Sequence, residues 1–287
     1  MAVRTHAWWL ALVCALACQR AKPVPVDSEP PKPRSEDRVG AMISIAGGTF
    51  AMGTDEADAS ASEKPPHEVT VRAFQIDKTE VTVQAYAACV KANRCSEPLS
   101  FVGERNNFRI FCNWKHAEDR SAHPVNCVAL DQAIAYCLFA GKRLPTEEEW
   151  EYAARGGAEE RMYPWGNEPP DQTRVNACGA ECPDGVQAKG FPGWPPLYPT
   201  SDGFAETAPV GSFPKGASKD GALDMAGNVW EWTASEFKPY GVQKTDGKVV
   251  LRGGSFGGAD ARTLRTTNRF RLPPSSQSEF LGFRCAR

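Results

Sequence analysis

The first strong alternation of apolar and polar positions begins at Met42. Met42-Ile43-Ser44-Ile45 reads as a short strand, Gly47-Gly48 as a turn, and Thr49-Phe50-Ala51-Met52-Gly53 as a second strand. His67-Glu68-Val69-Thr70-Val71 alternates as a half-buried strand does, and Phe74-Gln75-Ile76-Asp77 follows in the same style. Thr82 then stands as the N-cap of a helix over 83–92, with Tyr86, Ala87 and Val90 on one face. A second helix is predicted over 130–140, stopped by Gly141 just past its end. Pro145-Thr146-Glu147-Glu148-Glu149-Trp150 opens a third. Thr146 and Glu149 make a capping box there, and the acidic first turn suits the positive end of the helix. From Gly156 onward the pattern offers loops and short strands with few helices, and no repeat of fixed period is visible.

The N-terminal region follows a different pattern. Arg4 and His6 precede an apolar run over 7–17, too short to cross a bilayer as a helix but the right length for the core of an export signal. The run ends Ala15-Leu16-Ala17-Cys18, which resembles a bacterial lipobox with its leucine one position late. Acylation of Cys18 and simple cleavage after Ala17 are the two readings of that end. Residues 21–39 are rich in proline and charge and hold almost nothing large and apolar, so they read as a tether. The expected organisation is a signal over 1–17, a tether over 18–39 and one large domain over 40–287. The expected location is the cell envelope, with membrane attachment by a lipid anchor alone.

Composition narrows the function classes. The chain has 287 residues, 41% hydrophobic and 24% charged, enough for one large domain. A formal charge of −2 and scattered Lys and Arg give no field that would gather nucleic acid. Setting Cys14 and Cys18 aside leaves eight of the ten cysteines, an even number in an oxidising compartment. That favours disulfides over metal thiolates. The close pairs Cys89/Cys95 and Cys178/Cys182 suit local bridges, and neither is accompanied by a second pair or a His pair at zinc spacing.

Several motifs occur in one order along the domain. They are Gly47-Gly48-Thr49-Phe50-Ala51-Met52-Gly53, the run from Gly141-Lys142-Arg143-Leu144-Pro145-Thr146-Glu147 through Trp150-Glu151-Tyr152-Ala153-Ala154-Arg155-Gly156-Gly157, and Tyr163-Pro164-Trp165-Gly166-Asn167. Asp224-Met225-Ala226-Gly227-Asn228-Val229-Trp230-Glu231-Trp232-Thr233, Arg252-Gly253-Gly254-Ser255-Phe256 and Gly282-Phe283-Arg284-Cys285 follow. Together they resemble the formylglycine-generating enzyme, or sulfatase-modifying factor, family. The resemblance implies an α+β, C-type-lectin-like fold with little regular structure. It also implies two structural calcium sites. One uses the Asp224 and Glu231 side chains with the Gly227 and Val229 carbonyls; the other falls on Asn176, Ala177, Asp202 and Phe204. Hard oxygen donors on irregular loops are what Ca²⁺ takes, although loop Asp and Asn also cap turns with no ion present.

Active members of the family hold Cu(I) between two cysteines that follow the Gly-Gly-Ser-aromatic motif, a soft ion on thiolates. Here Gly258 and Thr263 stand at those positions. Neither can bind copper or attack as a thiolate, so copper is not expected. The resemblance further implies a bridge between Cys137 and Cys285. A second bridge of some relatives would need cysteines where Ala154 and Asn268 stand. Cys112 with Cys127 is the pairing left once the two close pairs are made.

Ser255, Trp230, Trp232 and Phe256 are expected to line the family's cleft. Ser255 has no placed base, since His67, His116 and His123 lie in segments the sequence does not set against it. Arg262, Arg265, Arg269 and Arg271 either make the cleft wall cationic or pair with local acids. Two functions follow from this reading. The first is a non-catalytic binding or scaffold module for a peptide, glycan or protein partner. The alternative is an oxidase of the formylglycine-generating type, or another oxidative reaction in the same cleft. The iron-dependent sulfur-transfer relatives of this fold carry an additional helical domain, for which this chain has no room.

Overall fold

A computed structural model describes residues 40–99, 111–188 and 193–287. The expected signal, tether and acylated Cys18 fall on 1–39 and lie outside them. The chain divides into units 1–33 and 34–287, and every described residue belongs to the second.

The first four strands nest as one hairpin inside another. β1 (Met42–Ile45) pairs antiparallel with β4 (Phe74–Asp77), and β2 (Gly48–Met52) with β3 (His67–Val71). The two strands flanking Gly47 therefore do not pair with each other. Gly47 is obligatory at that corner because a Cβ there would lie 2.5 Å from both Ala73 N and Val71 O.

α1 (Val83–Lys91) starts as its sequence specifies, with the Thr82 hydroxyl accepting from Ala85 N at 3.1 Å. Its deepest face holds Val83, Tyr86 and Cys89, with Ala87 and Val90 half-buried beside it. α2 (Leu130–Phe139) ends before Gly141 at φ 68°, the left-handed residue expected there. α3 (Glu147–Arg155) carries the full Thr146/Glu149 capping box and stops at left-handed Gly156. Tyr86 stacks on Tyr136 at 5.7 Å, Phe283 packs edge-on against Tyr136 at 5.6 Å, and Cys137–Cys285 locks the C-terminal segment to α2. The other bridges are Cys89–Cys95, Cys112–Cys127 and Cys178–Cys182. The last of these opens α4 (Cys182–Ala188), a helix in the half of the chain where the pattern offered few.

A four-stranded sheet, in the order β7-β6-β5-β8, occupies the C-terminal half. β5 (Trp230–Glu236) lies between β6 (Val249–Arg252), antiparallel, and β8 (Leu281–Gly282), parallel, with β7 (Phe270–Leu272) on the far side of β6. Buried ion pairs weld α3 to this sheet. Arg252, without exposed surface, reaches Glu151 at 2.7 Å and Glu147 at 3.5 Å, and Glu147 also takes Arg269 at 2.7 Å. Trp150, one turn along α3, donates its indole N–H to Glu231 on β5 at 2.8 Å. The acidic residues of α3 thus cap the helix and supply the counter-charges of Arg252 on β6 and of Arg269 just before β7. Buried charge of this kind is tolerable only when it is paired and hydrogen-bonded.

Candidate functional site

Beyond β6 the chain turns sharply through Gly253 and Gly254, at φ 97° and 80°. The turn is fastened to the 227–228 corner, where Gly227 N donates to Gly253 O at 2.9 Å and Phe256 N to Asn228 O at 2.9 Å. Ser255 is buried at this junction, and its carbonyl accepts from Gly258 N at 2.9 Å. The chain then doubles back through a 3-10 turn over Ala261–Leu264, which brings the two diagnostic positions together. A Cβ placed on Gly258 would lie 3.4 Å from Thr263 Oγ1. The backbone thus keeps a place for a side-chain pair, but one position has no side chain and the other is a hydroxyl donating to Asp260 O at 2.7 Å. These residues do not fit Cu(I), which needs soft sulfur donors.

Aromatic side chains pack around this turn. Phe256 lies 5.0 Å from Phe280 and 6.2 Å from Phe111, and Trp194 packs on Phe280 at 5.8 Å. Cys178 donates its backbone N–H to Gly258 O at 3.3 Å, but both Cys178 and Cys182 are fully buried and bonded to each other. Trp230 is half-buried against Phe270 at 5.5 Å. Trp232 departs from expectation: it is fully buried in the core and donates to Val128 O at 3.0 Å, so it lines no cleft.

The four arginines resolve in favour of local pairing. Arg262 meets Asp260 at 2.5 Å, Arg265 meets Asp58 at 2.7 Å, Arg269 meets Glu147 at 2.7 Å and Arg271 meets Asp246 at 2.9 Å. No net cationic wall results. The histidines stand elsewhere. His67 packs on Tyr240 at 4.3 Å, His116 lies in the 3-10 turn Asn113–His116, and His123 pairs with Thr207 Oγ1 at 3.0 Å. None supplies Ser255 with a base.

Behind the turn lies a buried carboxylate cluster. Arg284 grips Glu231 through both carboxylate oxygens at 2.7 Å. Asp224, at φ 57°, accepts from Gly211 N at 2.6 Å, and burial pushes its carboxyl up to about 6, with the Gly211 N–H and Arg284 opposing and Glu231 adding. Glu80, which no motif singles out, completes the group. It accepts from Asn228 Nδ2 at 2.8 Å and Val229 N at 3.3 Å, and burial, then Asp224 and Glu231, raise its carboxyl well above the usual range. Among the described residues one guanidinium stands against three buried carboxyl groups, hard oxygen donors of the kind a divalent cation takes, and Asp224 and Glu231 are two of the expected ligands. Gly227 fits the same corner only as glycine, since its φ is 74° and a Cβ would lie 2.2 Å from Asn176 O.

Asn176 joins this cluster to the second expected set. Its amide nitrogen donates to Asn228 Oδ1 at 2.9 Å and Glu206 O at 3.0 Å, while its buried Oδ1 has no hydrogen-bond partner. The neighbouring Ala177 N reaches Tyr198 Oη at 3.2 Å and Asp202 Oδ2 at 3.4 Å. Burial and the adjacent Glu181 carboxyl push Asp202 up to about 7. Asp202 Oδ1 accepts from Phe204 N at 2.9 Å, which fixes the turn that carries the Phe204 carbonyl. Among the described residues no group of three or more His, Cys, Asp or Glu side chains is arranged to hold a metal by itself. The first set draws half its expected donors from the backbone and the second draws three of four from the backbone or an amide, and the orphaned Asn176 oxygen fits that chemistry.

A family model described as the sulfatase-modifying factor enzyme 1-like domain matches residues 27–287. The chain belongs to that family. A mouse (Mus musculus) protein named inactive Cα-formylglycine-generating enzyme 2 is 35% identical over 281 residues, spanning 86% of this chain and 85% of its own length. The formylglycine-generating enzyme of Streptomyces coelicolor is 34% identical over 93% of this chain and 95% of its own. Among solved structures, PvdO from Pseudomonas aeruginosa superposes with a TM-score of 0.63 and 27% identity, covering 86% of this chain and 93% of that one. This sulfatase-modifying-factor domain therefore has the mixed α+β, C-type-lectin-like fold that its motifs implied, with four disulfides fastening its loops.

Proposed function

We propose that this family member is a non-catalytic binding or scaffold module of the cell envelope, presenting the surface around the 253–263 turn to a peptide, glycan or protein partner. One observation carries the reading. A Cβ placed on Gly258 would lie 3.4 Å from Thr263 Oγ1, where the family's copper chemistry needs two thiolates, and the described cysteines are all closed into disulfides. Likeness to the inactive mouse relative supports it. The catalytic alternative has the likeness to the Streptomyces enzyme on its side but no soft ligand pair to work with.

In this reading calcium holds loops rather than reacting. One ion sits with Asp224, Gly227, Val229 and Glu231, and another with Asn176, Ala177, Asp202 and Phe204. Export is supported by the apolar run at 7–17 and by the four disulfides. No helix among the described residues is long and apolar enough to cross a membrane. Lipid at Cys18 is the proposed anchor, and Cys18→Ser would move the protein from the membrane to the soluble fraction.

The deciding experiment incubates the purified protein with Cu(I), oxygen and a Cys-x-Pro-x-Arg peptide, and seeks the aldehyde product by mass spectrometry. The expected result is unmodified peptide. Sustained turnover would overturn the binding-module reading.

A further inference from the structure

The Glu181 side chain belongs to none of the ligand sets implied above, yet it is built into one of them. Its Oε1 accepts from the backbone N–H groups of Asp202 at 3.2 Å and Phe204 at 3.1 Å, the two residues expected to supply ligands from the far side of the second set. Its Oε2 is buried with no hydrogen-bond partner. Phe204 N donates to both Glu181 Oε1 at 3.1 Å and Asp202 Oδ1 at 2.9 Å, so the two carboxylates converge on one N–H. Like charges held this close favour a shared proton or a bound cation. The unpartnered Oδ1 of Asn176, a residue only 2% exposed, belongs to the same set and is an independent sign of an unfilled donor position.

The way Glu181 is held is equally specific. The Cys178–Cys182 bridge, with a sequence separation of 4, closes a small ring that contains only Gly179, Ala180 and Glu181. Gly179 leaves room for the carboxylate, because a Cβ there would stand 3.1 Å from both Glu181 Oε1 and Oε2. Gly179 N bonds to Ala177 O at 2.8 Å, and Ala180 N to Thr200 O at 3.3 Å, so the ring is fastened to both arms of the expected site. A carboxylate on a free loop would lose chain entropy on binding an ion, whereas this one is already ordered.

We propose that Glu181 is a further ligand of the cation at Asn176, Ala177, Asp202 and Phe204, and that the Cys178–Cys182 bridge holds it in place as part of that site. This rests on the calcium reading of the set and adds a second carboxylate to it, which raises affinity for a hard divalent ion. The disulfide becomes a determinant of cation affinity although no sulfur touches the ion.

The test is calorimetric titration of Ca²⁺ into chelator-stripped protein, with Tb³⁺ luminescence as a second readout because Tyr198 Oη lies 2.6 Å from Asp202 Oδ2 and serves as an antenna. Glu181→Gln is expected to weaken one of two Ca²⁺ sites by about 10–100-fold and leave the other unchanged. Cys178→Ser/Cys182→Ser should weaken the same site with Glu181 intact. Asp202→Asn should abolish it. If Asp202→Asn removes a site while Glu181→Gln titrates as the parent protein does, the role of Glu181 is overturned and the calcium reading stands. If Asp202→Asn leaves both sites, or the parent protein binds no Ca²⁺, the calcium reading of this set falls and the role of Glu181 falls with it. Because Glu181→Gln breaks no covalent link, the test survives even where the double serine variant fails to fold.

Discussion

Gly258 and Thr263 are neighbours through space although five positions apart in the chain: a Cβ on the first would lie 3.4 Å from the hydroxyl of the second. Gly258 is outside the left-handed region, so a side chain there meets no backbone strain. Its tightest contact would be 3.0 Å to Ser255 O, which needs a shift of a few tenths of an ångström. Gly258→Cys/Thr263→Cys is therefore expected to bind one Cu(I) per chain, as read by competition with a chromophoric Cu(I) chelator. The parent protein and each single variant should not compete. A double variant that also fails to compete would mean that more than two side chains separates this turn from a copper site.

The features legible in the sequence were those fixed by short-range rules. Thr82, Thr146 with Glu149, and Gly141 announce helix ends because capping bonds span three or four residues. Glu80 was not legible. It lies in a short link between β4 and α1, and its role depends on a corner at Asn228, 148 positions away. Trp232 failed in the opposite sense. Its place in a recognisable motif suggested the cleft, but it shares a face of β5 with Trp230 and lies deeper in the core that Trp230 packs against, where its indole reaches Val128 O. The arginines of 262–271 were ambiguous until their partners, from Asp58 to Asp246, were brought alongside by the fold.

Removing Arg284 tests how the carboxylate cluster is balanced. The side chain is fully buried, binds both oxygens of Glu231, and also donates to Leu223 O at 2.8 Å and Asp77 O at 3.1 Å. Arg284→Leu keeps apolar bulk but leaves Glu231 uncompensated beside Asp224 and Glu80. The expected loss is about 3–5 kcal/mol in denaturant unfolding. A loss under about 1 kcal/mol, the scale of an exposed pair, would show that the charges are solvated in solution.

The Cys137–Cys285 bridge spans 148 residues and fastens the end of the chain to α2. Long loops gain most from closure in the chain-entropy picture. Cys137→Ala/Cys285→Ala is expected to cost about 2–5 kcal/mol. Replacing Cys89 and Cys95, only 6 residues apart, should cost less. Equal losses for the two pairs would point to packing of the sulfurs, all buried, rather than loop closure as the source of stability.

His123 gives the protein an acid-sensitive component. Burial, reinforced by the Arg120 guanidinium, lowers its imidazole from 6.5 to about 4, against the opposing pull of Glu206 and the Thr207 contact. The unfolded chain therefore takes up this proton at higher pH than the folded protein does. Between pH 6.5 and about 4 the unfolded state binds more protons at this group, so stability falls as pH falls through that window and levels off below it. Carboxylates titrate over part of the same range, so the informative quantity is a difference between two proteins. His123→Gln retains hydrogen-bonding capacity toward Thr207 and removes the titration. Its melting temperature should fall less steeply than the parent's between pH 6.5 and 4, with the two slopes converging above pH 7. Parallel curves across the whole range would mean that His123 titrates alike in the folded and unfolded states, with Glu206 and the Thr207 contact offsetting burial and Arg120.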